Sequence, residues 1–129
     1  MRVVPLFAVA VFCLLGATLD PADVKIVGSL EYGQTSDPVD YTGTPKYSAF
    51  VFNGNGGDRI EVSVLGDPQV AVSIADGTLK ELTSGISHLS FTLPSNGPDL
   101  ETYYIVFRDS ENKPAKLTVK LLKTERKQV

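Results

Sequence analysis

A repeated alternation of apolar and polar side chains runs through most of this chain. In DRIEVSV, Ile60, Val62 and Val64 alternate with polar residues, and the same pattern returns in QVAVSIA, LSFTL and KLTVKL. A period of two places the apolar side chains on one face of a β-strand. VKIVGSL, YSAFVF and ETYYIVFRD predict further strands, and no stretch keeps a helical apolar period over three turns. We therefore predict an all-β protein.

Turn-forming residues separate these strands at intervals of about a dozen residues. NGNGGD, GDP, ADG, SNGPD and DSENKP combine Gly, Asn, Asp and Pro, which favour positive φ angles or interrupt a ladder. Short strands with one apolar face at this spacing predict two packed antiparallel sheets, a β-sandwich. The longest irregular segment, EYGQTSDPVDYTGTP, is predicted to cross from one sheet to the other.

The first 17 residues have the parts of a secretory signal peptide. Arg2 precedes an unbroken apolar run over residues 3–15, and cleavage is expected after the small residue Ala17. An uncleaved membrane anchor is the alternative, but the run is shorter than the roughly 20 residues that cross a hydrocarbon core. Acylation of Cys13 is a second alternative, disfavoured because Phe12 stands where bacterial lipoprotein signals have a small residue.

Cleavage would leave one secreted or periplasmic domain without a membrane span. We expect a short linker at 18–23, the sandwich at 24–122 and a polar tail at 123–129. Cys13 is the only cysteine, so the mature chain would have no disulfide and no thiolate metal site. Removing Arg2 changes the net charge from −3 to −4, so nucleic acid is not an expected partner.

Five segments carry a family resemblance in this order: LEYGQT, KYSAFVFNGNGGDRIEVSV, QVAVSIADGTLKEL, HLSFTLPSNG and ETYYIVFRDSENKPAKLTVKL. Over residues 24–122 the chain resembles the bacterial pre-peptidase C-terminal domain, a jelly-roll-like β-sandwich found beside exported peptidases and other exported enzymes. GPDLET is a longer and more acidic approach to the tyrosine strand than the family's usual Gly-Thr. The family usually accompanies a catalytic domain, and these 129 residues contain none. The resemblance implies a jelly-roll-like sandwich that acts as a binding or accessory module.

Catalytic groups are few. His88 is the only histidine, so a Ser-His-Asp triad would need it together with Ser84, Ser87, Ser90 or Ser95. None of these serines lies in a Gly-x-Ser-x-Gly turn, and we interpret His88 as the start of the LSFTL strand. We predict a protein that is not an enzyme. The alternatives are a small secreted hydrolase that uses carboxylates and a structural or envelope-assembly protein.

Acidic residues in the turns are candidate calcium ligands. The carboxylate oxygens that Ca²⁺ prefers are supplied by Asp58, Asp76 and Asp99, and also by Asp67 and Glu101. Each also lies where turn geometry by itself favours an acidic residue, and no D-x-[DN]-x-[DN]-G loop is present. We therefore interpret them as turn residues, and no cofactor is predicted.

Two adjacent tyrosines in ETYYIVFRD must point to opposite faces of their strand. We predict that Tyr103 faces the core and that Tyr104 faces outward. A hairpin with KLTVKLL would pair the inward residues as Phe107 with Leu117, Ile105 with Val119 and Tyr103 with Leu121. In that register one outward surface is formed by Tyr104, Val106, Arg108 and Lys120. We predict that this surface binds an unknown protein or polysaccharide partner. The alternative is a cross-strand cluster that only stabilises the hairpin.

The alternation also predicts the interior of the sandwich. Twelve side chains are expected to fill the space between the sheets: Phe50, Phe52, Ile60, Val62, Val72, Ile74, Phe91, Tyr103, Ile105, Phe107, Leu117 and Val119.

Overall fold

A computed structural model describes residues 17–67, 69–94 and 100–124, and these residues form two packed five-stranded sheets. This confirms the predicted all-β sandwich. The predicted signal peptide lies outside the described residues except for Ala17. A short 3₁₀ helix, Pro21–Asp23, precedes ten strands: β1 (Val24–Ser29), β2 (Gln34–Thr35), β3 (Val39–Tyr41), β4 (Tyr47–Gly54), β5 (Arg59–Leu65), β6 (Val70–Ala75), β7 (Glu81–Ile86), β8 (His88–Thr92), β9 (Glu101–Asp109) and β10 (Ala115–Lys123).

The two sheets differ in how their strands are ordered. The first sheet has the order β1-β4-β9-β6-β7, with β1 parallel to β4 and the other pairs antiparallel. The second has the order β2-β10-β5-β8, and β3 also pairs with β10. The chain thus leaves β1 in the first sheet, contributes β2 and β3 to the second, and returns to β4. The predicted crossing by EYGQTSDPVDYTGTP is confirmed, and it contains two short strands.

The predicted hairpin between β9 and β10 is wrong. These strands lie in opposite sheets, where β9 pairs with β4 and β6, and β10 pairs with β5. The turn between them is organised by the buried Asp109, whose carboxylate accepts hydrogen bonds from the N–H groups of Glu111 (2.8 Å) and Lys113 (2.9 Å). Phe107 and Leu117 both point inward, as predicted, but from opposite sheets. The alternation is the same in either arrangement, so it cannot distinguish them.

The interior follows the predicted alternation. Eleven of the twelve predicted core side chains are buried, and Phe91 on the edge strand β8 is half-buried against the same cluster. The aromatic rings pack on one another, with centroid separations of 6.0 Å for Phe50 and Phe107 and 5.6 Å for Phe52 and Tyr103. Tyr103 is therefore core, as predicted.

The first described residues lie across the outer face of the first sheet. The N–H of Leu19 donates to the carbonyl of Leu79 (2.9 Å), and the N–H of Glu81 donates to the carbonyl of Ala17 (2.8 Å). Leu19 and Val24 then pack over a second apolar cluster on the outer face, which consists of Ala49, Ala75 and Val106. We call residues 17–24 the N-terminal segment. Among the described residues, no helix is long and apolar enough to span a bilayer.

Candidate functional site

The structure separates the four residues of the predicted partner surface. Tyr104, Val106 and Arg108 share the outer face of β9, whereas Lys120 lies on β10 in the second sheet, because the pairing that joined them does not occur. Val106 is only 1% exposed, since it belongs to the cluster under the N-terminal segment. The partner surface therefore has to be redefined around the outward residues of the first sheet.

Arg108 is held at the far end of β9. Its guanidinium donates to the carbonyls of Asp109 and Ser110 (both 3.4 Å) and to Oδ1 of Asn112 (3.1 Å), and it lies 5.9 Å from the ring centroid of Tyr47. Along the strand, Arg108 is roughly 13 Å from Tyr104, at about 3.3 Å per residue. Arg108 thus fixes the β9–β10 turn, and the N-terminal segment covers Val106, which lies between Arg108 and Tyr104 on the outer face.

Apolar side chains instead meet at the other end of the same outer face. Leu100, immediately before β9, is 63% exposed, and it lines a cavity of about 340 Å³ together with Val51. Val51 is the cross-strand partner of Tyr104, and both are half-exposed. We call Leu100, Val51 and Tyr104 the Leu100 patch. Sequence analysis missed Leu100 because it follows the segment SNGPD, for which a turn was predicted, and belongs to no alternating run.

Asp58, a calcium candidate, stabilises a loop at the same end of the sandwich. Its Oδ2 accepts hydrogen bonds from the Tyr32 hydroxyl (2.8 Å) and from the N–H of Asn55 (2.9 Å), and Lys123 Nζ is 3.6 Å from its Oδ1. Burial opposes ionisation of Asp58, but these bonds and the Lys123 charge outweigh it and lower its pKa. Burial and the Asp58 carboxylate together raise the pKa of Tyr32.

Asp76, the second calcium candidate, closes the turn between β6 and β7. Its Oδ1 accepts from the N–H and the hydroxyl of Thr78 (2.9 and 2.6 Å) and from the N–H of Lys80 (3.1 Å). Partial burial opposes ionisation, and these hydrogen bonds outweigh it and lower the pKa of Asp76. Asp58 and Asp76 thus both accept hydrogen bonds from backbone N–H groups of their own turns. Asp99 lies outside the described residues, and within the described ranges no group of three or more His, Cys, Asp or Glu side chains is arranged to hold a metal.

The hydroxyl of Tyr103 is buried without a hydrogen-bond partner among the described residues. Tyr103 lines an open cavity of about 250 Å³ where the β6–β7 turn, the end of β8 and the start of β9 meet. We call this cavity the Tyr103 pocket; its lining residues are Asp76, Gly77, Thr78, Leu82, Pro94, Glu101, Thr102 and Tyr103. Burial raises the pKa of the Tyr103 phenol, and the charges of Glu101 and Asp76 raise it further.

His88 has a different serine neighbour from those considered in the sequence. Its Nδ1 lies 3.2 Å from the hydroxyl of Ser63, its cross-strand partner on β5, and the pair is exposed on the outer face of the second sheet. Lys120 pairs with Ser63 from the opposite side, on β10. Ser95 lies outside the described residues. A Ser–His pair on an exposed sheet face lacks the enclosed site in which a catalytic nucleophile is normally activated.

Comparison with known proteins supports the fold. No protein-family model matches the chain, and no curated protein matches it. Among solved structures, the chain is similar to a class of small β-sandwiches that includes pre-peptidase C-terminal domains. One is the pre-peptidase C-terminal domain of the collagenase from Bacillus anthracis, with a TM-score of 0.56 and 14% identity over 81% of this chain and 99% of that one.

Two further similar structures carry the name PliG, a periplasmic lysozyme inhibitor of g-type lysozyme. The protein from Aeromonas hydrophila has a TM-score of 0.54 and 12% identity, and covers 78% of this chain and 99% of its own. The protein from Salmonella Typhimurium has a TM-score of 0.53 and 13% identity, and covers 78% and 98%. At this identity the likeness establishes a shared fold, and it agrees with the sandwich that the family resemblance implied.

Proposed function

We propose that this chain is an extracytoplasmic, non-catalytic β-sandwich module that binds a protein partner. The observation that carries the proposal is the Leu100 patch. Leu100 exposes most of its side chain to solvent and lines one cavity with Val51, which is the cross-strand partner of Tyr104. A tyrosine adds contact area at a small cost in conformational entropy, and protein interfaces are enriched in such residues.

A protein partner is favoured over a polysaccharide for two reasons. The patch is made of aliphatic side chains and one half-exposed tyrosine, whereas stacking of a sugar ring calls for an open aromatic face. In addition, two proteins with the same fold are named as inhibitors of an enzyme, g-type lysozyme, and so bind a protein. We extend that mode of action to this chain as a protein-binding or accessory module.

The location outside the cytoplasm rests on the sequence. We propose that residues 1–17 are a cleaved signal peptide, that residues 18–23 follow as a linker that packs on the first sheet, and that the sandwich begins at residue 24. The similar PliG proteins are named as periplasmic, which supports the same compartment for this chain.

The test is a binding experiment with two matched leucine variants. Leu100→Ser alters the patch, and Leu65→Ser changes a leucine that is 55% exposed at the end of β5, in the second sheet. The immobilised wild-type protein is used to capture proteins from secreted and periplasmic fractions, and the captured proteins are purified. The affinity of each for the wild type and the two variants is then measured by calorimetry. A g-type lysozyme and a soluble peptidoglycan fragment are measured in the same way.

We expect one protein to bind with an affinity that Leu100→Ser weakens about tenfold, since an interface residue of this kind contributes about 1–2 kcal/mol. Leu65→Ser is expected to leave it unchanged. Equal affinity of both variants, or binding of the polysaccharide alone, would contradict the proposal.

A further inference from the structure

The Tyr103 hydroxyl is a buried polar group that the fold leaves unsatisfied. Tyr103 is 2% exposed, and its hydroxyl has no partner among the described residues. Leaving such a group unpaired is unfavourable, and native proteins satisfy nearly all of them with protein atoms, water or a ligand. The Tyr103 hydroxyl lies within the field of Glu101 and Asp76, which line the same pocket. Tyr103 itself lines this pocket, so a group bound there lies against the Tyr103 side chain.

The acidic and hydroxyl side chains that line this pocket offer acceptors to a ligand. All three hydrogen bonds to Asp76 are made to Oδ1, so Oδ2 takes part in none of them. Glu101 is an exposed carboxylate at the start of β9. The hydroxyl of Thr78 already donates to Asp76 (2.6 Å), so its oxygen can only accept from a ligand. The complement to this lining is a cationic group with several N–H donors.

We propose that the Tyr103 pocket binds the guanidinium of an arginine side chain from the protein partner, an inference that rests on the proposed function. A guanidinium is always charged and has five N–H donors in one plane, which suits acceptors placed around a small opening. A volume of about 250 Å³ accommodates one side chain, while pockets for whole small molecules are usually larger, about 300–1,000 Å³. Ca²⁺ fits less well because it needs six to eight oxygen ligands.

The pocket and the Leu100 patch lie side by side along the chain. Leu100 lines the cavity beside Val51, and the next residues, Glu101 to Tyr103, line the Tyr103 pocket. A protein that covers Leu100 can therefore insert a side chain around the start of β9 without displacing any strand. The same surface then provides an apolar contact and, beside it, a charged one.

The direct test uses small probes and requires no partner protein. The purified protein, isotope-labelled, is titrated with N-acetyl-arginine amide, with its lysine and norleucine analogues, and with CaCl₂, while backbone amide signals are recorded by NMR. Tyr103→Phe removes the hydroxyl, and Glu101→Gln removes the exposed charge. Glu111→Gln is the matched control, since Glu111 is an exposed glutamate in the turn at the opposite end of β9.

We expect the arginine probe to shift the signals of Gly77, Thr78 and Thr102 saturably. Its dissociation constant should rise about tenfold in Tyr103→Phe and in Glu101→Gln, the size expected for one hydrogen bond to a charged group. It should not change in Glu111→Gln. Tyr103→Phe should keep or raise the thermal stability of the wild type, because the buried hydroxyl that it removes has no hydrogen-bond partner among the described residues.

Several results would overturn the assignment. The first is saturable binding of the norleucine or the lysine probe with the same affinity as the arginine probe. The second is binding of Ca²⁺ at the same signals with higher affinity than the arginine probe. The third is an arginine affinity that is unchanged in both pocket variants. Failure of the proposed function looks different. In that case the arginine probe binds as expected, but no protein responds to Leu100→Ser.

Discussion

Replacing Phe107 with alanine tests the arrangement of the core. Phe107 is completely buried in β9, with its ring 6.0 Å from that of Phe50 and its backbone between β4 and β6. Removing a fully buried phenylalanine costs about 3–5 kcal/mol, which includes the cavity that remains. Neighbours on both sides of β9 limit collapse of this cavity, so we expect a value in the upper half of that range.

Phe91 provides the internal comparison. It has the same side chain but is half-buried on the edge strand β8, so Phe91→Ala should cost only about 1–2 kcal/mol because less apolar area leaves water on folding. The free energies of unfolding are measured by urea denaturation with linear extrapolation. A loss below about 1 kcal/mol for Phe107→Ala, or equal losses for both variants, would show that the assignment of inward residues on β9 is wrong.

Three further predictions concern other parts of the molecule. The pKa of Asp58 is lower in the folded protein than its ordinary value of 3.8. Its ionised form therefore contributes stability that is complete above about pH 5 and is lost as the pH falls through the folded pKa. The difference in stability between wild type and Asp58→Asn should shrink towards pH 2 in urea titrations, and a difference independent of pH would contradict this. Gly66 has φ = 117°, and an added Cβ would collide with the carbonyl of Lys116. Gly66→Ala should therefore lower the melting temperature clearly. Gly77→Ala is the control and should change the melting temperature little, because the nearest atom to its added Cβ is 3.6 Å away. Exported protein should begin at Thr18 and unfold identically with and without reductant, and recovery of intact Met1 by N-terminal sequencing would refute the cleavage site.

The sequence predicted the positions of most strands and their inward side chains, but not which strands pair with one another. An alternating strand reveals which side chains point inward, as for Ile60 and Val62, because burial acts on each strand separately. It does not reveal which strand lies beside it, and for this reason β9 and β10 were joined in a hairpin although they occupy opposite sheets. β7 escaped prediction because ELTSGI has only two apolar residues, one of them the exposed Ile86 at a sheet edge.

The candidate site was predictable only in part. The outward direction of Tyr104 follows from its position next to Tyr103. The proximity of Leu100 to Val51, and the cavity beside the Tyr103 hydroxyl, depend on the pairing of β4, β6 and β9, which lie far apart in the chain. The same is true of Ser63 and His88, whose contact follows from the pairing of β5 with β8. Sequence spacing carries little information about such contacts.

The N-terminal segment has a consequence for the order in which the chain folds. Leu19 and Val24 pack on Ala49, Ala75 and Val106, which come from three strands that are synthesised later. The N-terminal segment is thus expected to dock late in folding, since its docking surface exists only after β4, β6 and β9 have assembled. In the folded protein the carbonyl of Ala17 accepts a hydrogen bond from Glu81 on the edge strand β7, so we expect cleavage after Ala17 to be faster before the sandwich closes than after.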